Sequence, residues 1–205
     1  MCIAERQARR HRPRAEHGIS LVELIVFIVI VGIAVAGVVG ALSMATRASA
    51  DPMIQKQALA VAEALLEEVQ LQPFTYCDPD DQPNAANALS AADCTGGAGG
   101  ANDETRLPLG PEAGETRYSA TTPYDNVSDY NTFTMTGIKD ITGAAIPGLE
   151  NYTASVTVAI PTQPLAPVPG PDSLLITVTV TGPPGTNTTV VLDGYRVRYA
   201  PNAAY

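Results

Sequence analysis

Glu23 is the residue that asks most of its surroundings. It is the one charged residue between Gly18 and Met44, and no other charge occurs from Leu24 through Thr46. A helix needs roughly 20 apolar residues to cross a bilayer, so this stretch is long enough to span one. A carboxylate one turn inside such a span is costly in lipid unless a cation meets it, and it marks a functional position. The chemistry it offers is ion pairing within an apolar surrounding. Both histidines, His11 and His17, precede the span. The remainder of the chain therefore supplies no histidine for a general base, a Ser-His-Asp arrangement or a His-rich metal site.

Other reactive side chains are few. Cys2 lies near the start, and Cys77 and Cys94 flank a stretch rich in Asn and Asp. In an oxidising compartment the latter pair reads as one disulfide, worth roughly 3 kcal/mol in the chain-entropy picture, with two free thiols as the other reading. Asp78, Asp80 and Asp81 invite a calcium reading, but they lack the spacing, turn glycine and distal glutamate of an EF-hand loop, so a solvated acidic loop is the expectation and no metal or other cofactor is implied. No stretch combines a base, a nucleophile and an orienting group, which argues against an enzyme.

The elements that would position these residues follow from pattern. Residues 1–18 carry Arg6, Arg9, Arg10, Arg12 and Arg14 against Glu5 and Glu16, a basic leader that would stay on the cytoplasmic side. The formal net charge of the whole chain is −9, so the body beyond the leader is more acidic still and a poor binder of nucleic acid. An ordinary signal peptide is the competing reading, with Ala48-Ser49-Ala50 as its cleavage site, but the apolar run far exceeds the usual 7–15 residues. After a membrane segment over 19–46, the helix is expected to continue as an amphipathic half over 47–73. Ala58, Val61, Ala62, Leu65, Leu66 and Val69 would form its apolar stripe, and Glu63, Glu67, Glu68 and Gln70 would fall mainly on the other face. Pro52 interrupts this helix and Pro73 stops it.

The head, residues 74–205, divides into a long surface loop over 74–115 and an antiparallel sheet over 116–200. Strands are expected at Tyr118–Thr121, Thr132–Met135, Tyr152–Ile160, Leu174–Thr181, Thr189–Leu192 and Tyr195–Tyr199, with Asp193-Gly194 as a turn. The prolines of residues 161–172 keep that loop out of the sheet. Val156, Val158, Ile160, Ile176, Val178 and Val180 give the sheet an apolar face that the amphipathic helix would cover. The fold class is α+β.

The order of basic leader, Gly18, Ile19, Glu23 and apolar helix, with ISLVELIV following the glycine, resembles the N-terminal signal of type IV prepilins and pseudopilins. The resemblance implies the type IV pilin fold, a long N-terminal helix on an antiparallel sheet. It implies that a prepilin peptidase cuts between Gly18 and Ile19 and that the new amine is methylated. It also implies that Glu23 pairs with the N-terminal amine of a neighbouring subunit during assembly. Major pilins usually carry phenylalanine where this chain has Ile19. The helix QALAVAEALLEEVQ, the segment YDNVSDYN (124–131) and the closing YRVRY together resemble the MshD-like minor pilins of the mannose-sensitive haemagglutinin pilus. Within YDNVSDYN, Tyr124, Asp125, Asp129 and Tyr130 read as a fixed turn beside the sheet or as a subunit contact. Expected partners are the peptidase, other pilin subunits, the inner membrane and its assembly platform. The head would be periplasmic before assembly and lie at the cell surface, in a pilus, afterwards. A type II secretion pseudopilin and a signal-anchored binding protein are the alternative readings.

Overall fold

The computed structural model of the chain describes residues 20–163, 165 and 167–199, with residues 45–51 described as backbone only. The elements are a helix α1 (Leu21–Leu71) and strands β1 (Thr134–Thr136), β2 (Thr153–Ala159), β3 (Ser173–Thr181) and β4 (Thr189–Val197). The chain divides into two compact units, Met1–Ala48 and Ser49–Tyr205. In the first, every residue from Leu21 to Met44 is helical and exposed.

The second unit is built on the far part of α1. Ala58, Val61, Ala62, Leu65 and Val69 are buried, at the three-and-four spacing that one face of a helix requires. Leu66 is half-buried against the same core. The helix ends at Leu71, two residues before Pro73. Opposite this face lies a four-stranded antiparallel sheet in the order β1-β2-β3-β4. Ala154 faces Val180, Val156 faces Val178, and Val158 faces Ile176 across the central pair. All six are buried. Because side chains alternate along a strand, the intervening residues turn outward. There Thr177 pairs with Asp193, and its hydroxyl donates to the Asp193 carboxylate at 2.6 Å. Helix and sheet thus bury one core between them, the α+β arrangement of the type IV pilin fold.

Three strand expectations need correction. Tyr118–Thr121 forms no strand; its backbone is in turns. The ring of Tyr118 instead packs edge-on against Phe133, with centroids 6.3 Å apart. The strand expected from Thr132 begins at Thr134, because Thr132 takes a φ of 64°, in the left-handed region that no strand residue uses. Residues 189–197 form one strand rather than two strands around an Asp193-Gly194 turn. Gly194 serves close approach: a Cβ built on it would lie 2.5 Å from Gln70 Nε2 and 2.9 Å from Leu66 Cδ1. Any larger residue there requires the ends of the Gln70 and Leu66 side chains to shift. Ile160, expected in the core, falls just past β2 and is 38% exposed.

The segment expected as a surface loop over 74–115 holds buried residues of its own. Cys77, Ala85, Ala88 and Cys94 make a small second core, and Thr75, Asp103, Glu104 and Leu109 are also buried. Arg196 and Arg198 tie the end of the sheet to the start of this segment. Arg196 Nη2 donates to the Gln72 carbonyl at 2.9 Å, supplying a donor to the helix exit, where carbonyls lack intrahelical partners. Arg198 Nη1 donates to the Thr75 carbonyl at 2.8 Å. Its guanidinium lies 3.9 Å from the Phe74 ring centroid and 4.2 Å from that of Tyr76.

Gly194→Val should lower the stability of the head by about 1–3 kcal/mol through overpacking. Thr157→Val, exposed on the outer face, should stay within about 0.5 kcal/mol. Denaturant unfolding of the two variants measures the difference.

Candidate functional site

Glu23 lies in the first turn of α1 and is exposed. A carboxylate there is favoured by the positive end of the helix dipole. The helix makes its first backbone bond from Leu24 N–H to the Ser20 carbonyl at 3.0 Å. Leu21–Met44 is long and apolar enough to cross a membrane. Gly32, Gly37 and Gly40 would meet nothing within 4 Å if given a Cβ. Packing within the chain therefore does not demand glycine at these positions, and each costs the helix up to about 1 kcal/mol relative to alanine. Small residues of this kind let another helix approach closely in a membrane. Gly18 and Ile19 lie outside the described residues.

In the head, the side chain that fixes the helix is Glu68. It was expected mainly on the polar face, yet it is partly buried and turns toward Arg117 and Tyr130. Arg117 Nε donates to Glu68 Oε1 and Arg117 Nη2 to Glu68 Oε2, both at 2.6 Å. The Tyr130 hydroxyl adds a third bond to Oε1 at 2.8 Å. Arg117 is 4% exposed, and its Nη1 donates to the carbonyls of Lys139 (3.3 Å) and Asp140 (3.1 Å). Burial alone would lower the guanidinium pKa; the Glu68 hydrogen bonds and charge outweigh it and raise the value. Burial, then the Glu68 carboxylate, push the Tyr130 hydroxyl well up, so it stays a donor. A sequence signal existed: Glu68 stands three residues after Leu65 and seven after Val61, in line with the buried stripe.

Cys77 and Cys94 are joined by a disulfide, with Cα atoms 5.4 Å apart. The three neighbouring aspartates are not a common site. Asp81 is buried and accepts from Thr95 N–H and Oγ1, both at 2.7 Å, which secures the far side of the disulfide loop. Asp78 is also buried and accepts from Asp80 N–H at 2.7 Å, while Asp80 is exposed. The solvated loop expected there is therefore largely an internal one.

The segment 124–131 is a structural turn. Asn126 to Tyr130 are all buried, with a 3-10 turn at Ser128–Tyr130. Asp129 Oδ2 accepts from the N–H groups of Asp125 (3.0 Å) and Asn126 (2.7 Å). Asn126 Nδ2 donates to Thr75 Oγ1 at 2.7 Å, and Val127 N–H donates to the Pro73 carbonyl at 3.1 Å. Asn131 bridges outward, donating to the Leu109 carbonyl at 2.8 Å and accepting from Val158 N–H at 3.0 Å. These groups hold the helix exit, the loop and the sheet together.

Residues 13–39 match the family described as the prokaryotic N-terminal methylation motif. No curated protein and no solved structure matches the chain. The motif covers the leader end, the Gly18-Ile19 bond, Glu23 and the first part of the apolar helix. It supports a prepilin-type subunit, pilin or pseudopilin, anchored by that helix.

Glu68→Ala leaves the buried Arg117 without its counter-charge and should cost about 3–5 kcal/mol of head stability. Glu63→Ala, on the exposed helix face, should stay within about 0.5 kcal/mol. Thermal unfolding followed by circular dichroism checks both.

Proposed function

We propose that this chain is a minor type IV pilin of the MshD-like kind. It is cut by a prepilin peptidase between Gly18 and Ile19, methylated on the new amine, and assembled through its apolar helix into a filament. The observation that carries the reading is Glu23, one acid in the first turn of an exposed apolar helix, set inside the methylation motif. An apolar helix surface without cover needs lipid or other helices around it. Glycines with open space above them suit the second environment as well as the first.

Glu23 then acts by pairing. A carboxylate in an apolar bundle needs a cation, and a newly exposed Ile19 amine on a neighbouring subunit would lie at the corresponding depth. That contact sets the axial register between subunits. The head is closed by the Cys77–Cys94 disulfide and, among the described residues, carries no further helix long and apolar enough to cross a membrane. A type II secretion pseudopilin would use the same helix chemistry. The two separate by the filament with which the subunit co-purifies.

The N-terminus and intact mass of protein recovered from membranes or sheared filaments test the reading. The expected product starts at Ile19 and carries one methyl group. A start at Asp51 would mean that the helix is discarded, and an uncut Met1 in cells with the peptidase would mean a signal anchor. Glu23→Ala should be processed normally yet fail to enter filaments, falling at least tenfold in the sheared fraction while its membrane pool persists.

A further inference from the structure

Seven carboxylates gather beside the 3-10 turn at Ser128–Tyr130, in three overlapping groups whose potential ligand atoms lie within 4.8 Å of one another. The innermost group is Glu104, Glu112 and Asp129. Glu104 is 3% exposed and Asp129 0%. Glu104 Oε1, Glu112 Oε2 and Asp129 Oδ1 are buried and have no hydrogen-bond partner among the described residues. The other oxygens of the two most buried carboxylates are engaged. The Ser128 hydroxyl donates to Glu104 Oε2, and the Asp125 and Asn126 N–H groups donate to Asp129 Oδ2. Each of these two side chains is thus held by one oxygen and leaves the other without a donor. A buried acceptor left in this way costs free energy, and three in one place require an explanation.

We infer that Glu104, Glu112 and Asp129 bind one hard divalent cation, calcium by its coordination chemistry. The donors are all carboxylate oxygens, which suits calcium or magnesium rather than zinc or copper. Cys77 and Cys94, the nearest soft candidates in sequence, are taken up by their disulfide. Magnesium dehydrates reluctantly and keeps several waters, whereas calcium accepts six to eight oxygens in irregular geometry. A trio with two members almost wholly buried favours calcium. Asp78 forms a further group with Glu112 and Glu115, so additional oxygens adjoin the trio. Like charges this close resist ionising together. A dication supplies the missing positive charge.

The bound ion would join three separate turns between residues 104 and 129. Glu104 follows the Cys77–Asp103 bridge, and its N–H donates to the Tyr76 carbonyl at 3.0 Å. Glu112 opens the turn that Glu115 closes by an N–H bond at 3.2 Å. Asp129 belongs to the turn that leads into the sheet. Sites of this class in extracellular modules bind calcium at about 0.1–1 mM, so occupancy would follow the exterior calcium level. The inference does not rest on the assembly reading and holds whether or not the helix polymerises.

The test uses the full chain in detergent micelles, stripped with a chelator and titrated with calcium or magnesium at matched ionic strength. Tyrosine circular dichroism follows the melting of the head. Calcium at about a hundred times its Kd should raise Tm by roughly 5–10 °C, and magnesium at the same concentration by clearly less. Glu104→Gln should melt no lower than the parent in chelator, since a buried charge is removed, and should lose the calcium response by at least tenfold in Kd. Glu63→Gln should keep it. A Tm flat to about 10 mM calcium, equal shifts with calcium and magnesium, or a response that survives Glu104→Gln would each overturn the proposal. Should Glu104→Gln fail to fold, terbium luminescence sensitised by Tyr124 and Tyr130 decides on the parent chain. A signal displaced by calcium upholds the site, and no calcium-displaceable signal refutes it.

Discussion

The head depends on one buried ion pair. Arg117 comes from a stretch with no regular structure, and a guanidinium with 4% exposure requires a counter-charge at fixed geometry. Glu68 supplies it from the helix through two hydrogen bonds and takes a third from Tyr130. The same guanidinium lies 5.1 Å from the centroid of the Tyr118 ring and 5.6 Å from that of Phe133. Phe133 meets Tyr124 and Tyr130 edge-on, with centroids 6.2 Å away in each case. Helix, turn and the approach to β1 are therefore positioned by one side chain and the rings around it. The apolar stripe of α1 gives the helix a face, but apolar contact is not directional. The ion pair sets which way along the sheet that face lies.

A second tie works at the opposite side of the helix exit. Arg196 and Arg198 alternate with Val197 at the end of β4, and both reach carbonyls in the first residues after α1. Their stems cover apolar surface while the guanidinium of Arg198 sits between Phe74 and Tyr76. Asp172 adds an ion pair at 3.5 Å. The segment leaving the helix is thus held from both the Asn126 side and the arginine side before it enters the disulfide loop.

Much of this was readable in the chain because period and environment agree there. The buried stripe at Ala58 to Val69 and the alternation of β2 and β3 follow directly from the positions of their apolar residues. β4 was misread because Asp-Gly is a strong turn signal in isolation, while here the glycine lies inside a strand beneath Leu66 and Gln70 of the helix. Thr132 was misread because its β-branched neighbours suggest extension, and its left-handed φ is imposed by the turn before it. Glu68 carried the right spacing, but its charge argued against the inside of a helix until Arg117 is known to meet it. Glu23 stood out as a lone charge in a long apolar run. The carboxylates at 104, 112 and 129 carry no such signal: they follow no ligand spacing, and only the folded loop brings them together. The polar composition of 74–115 suggested solvent, yet several of its polar groups bond within the loop, as Asp81 does to Thr95 and Asp103 to Thr105.

The exposed helix from Leu21 to Met44 has a further consequence for how such a chain changes its surroundings. Hydrocarbon tails are about as apolar as leucine side chains, so moving this surface from lipid to a bundle of like helices changes its hydrophobic free energy little. The two media are nearly equivalent solvents for everything on it except the carboxylate. A partition balanced in this way can be tipped by one polar group and by how closely glycine lets backbones approach. On the assembly reading proposed above, the same balance lets such a helix pass between bilayer and bundle in either direction without being unfolded.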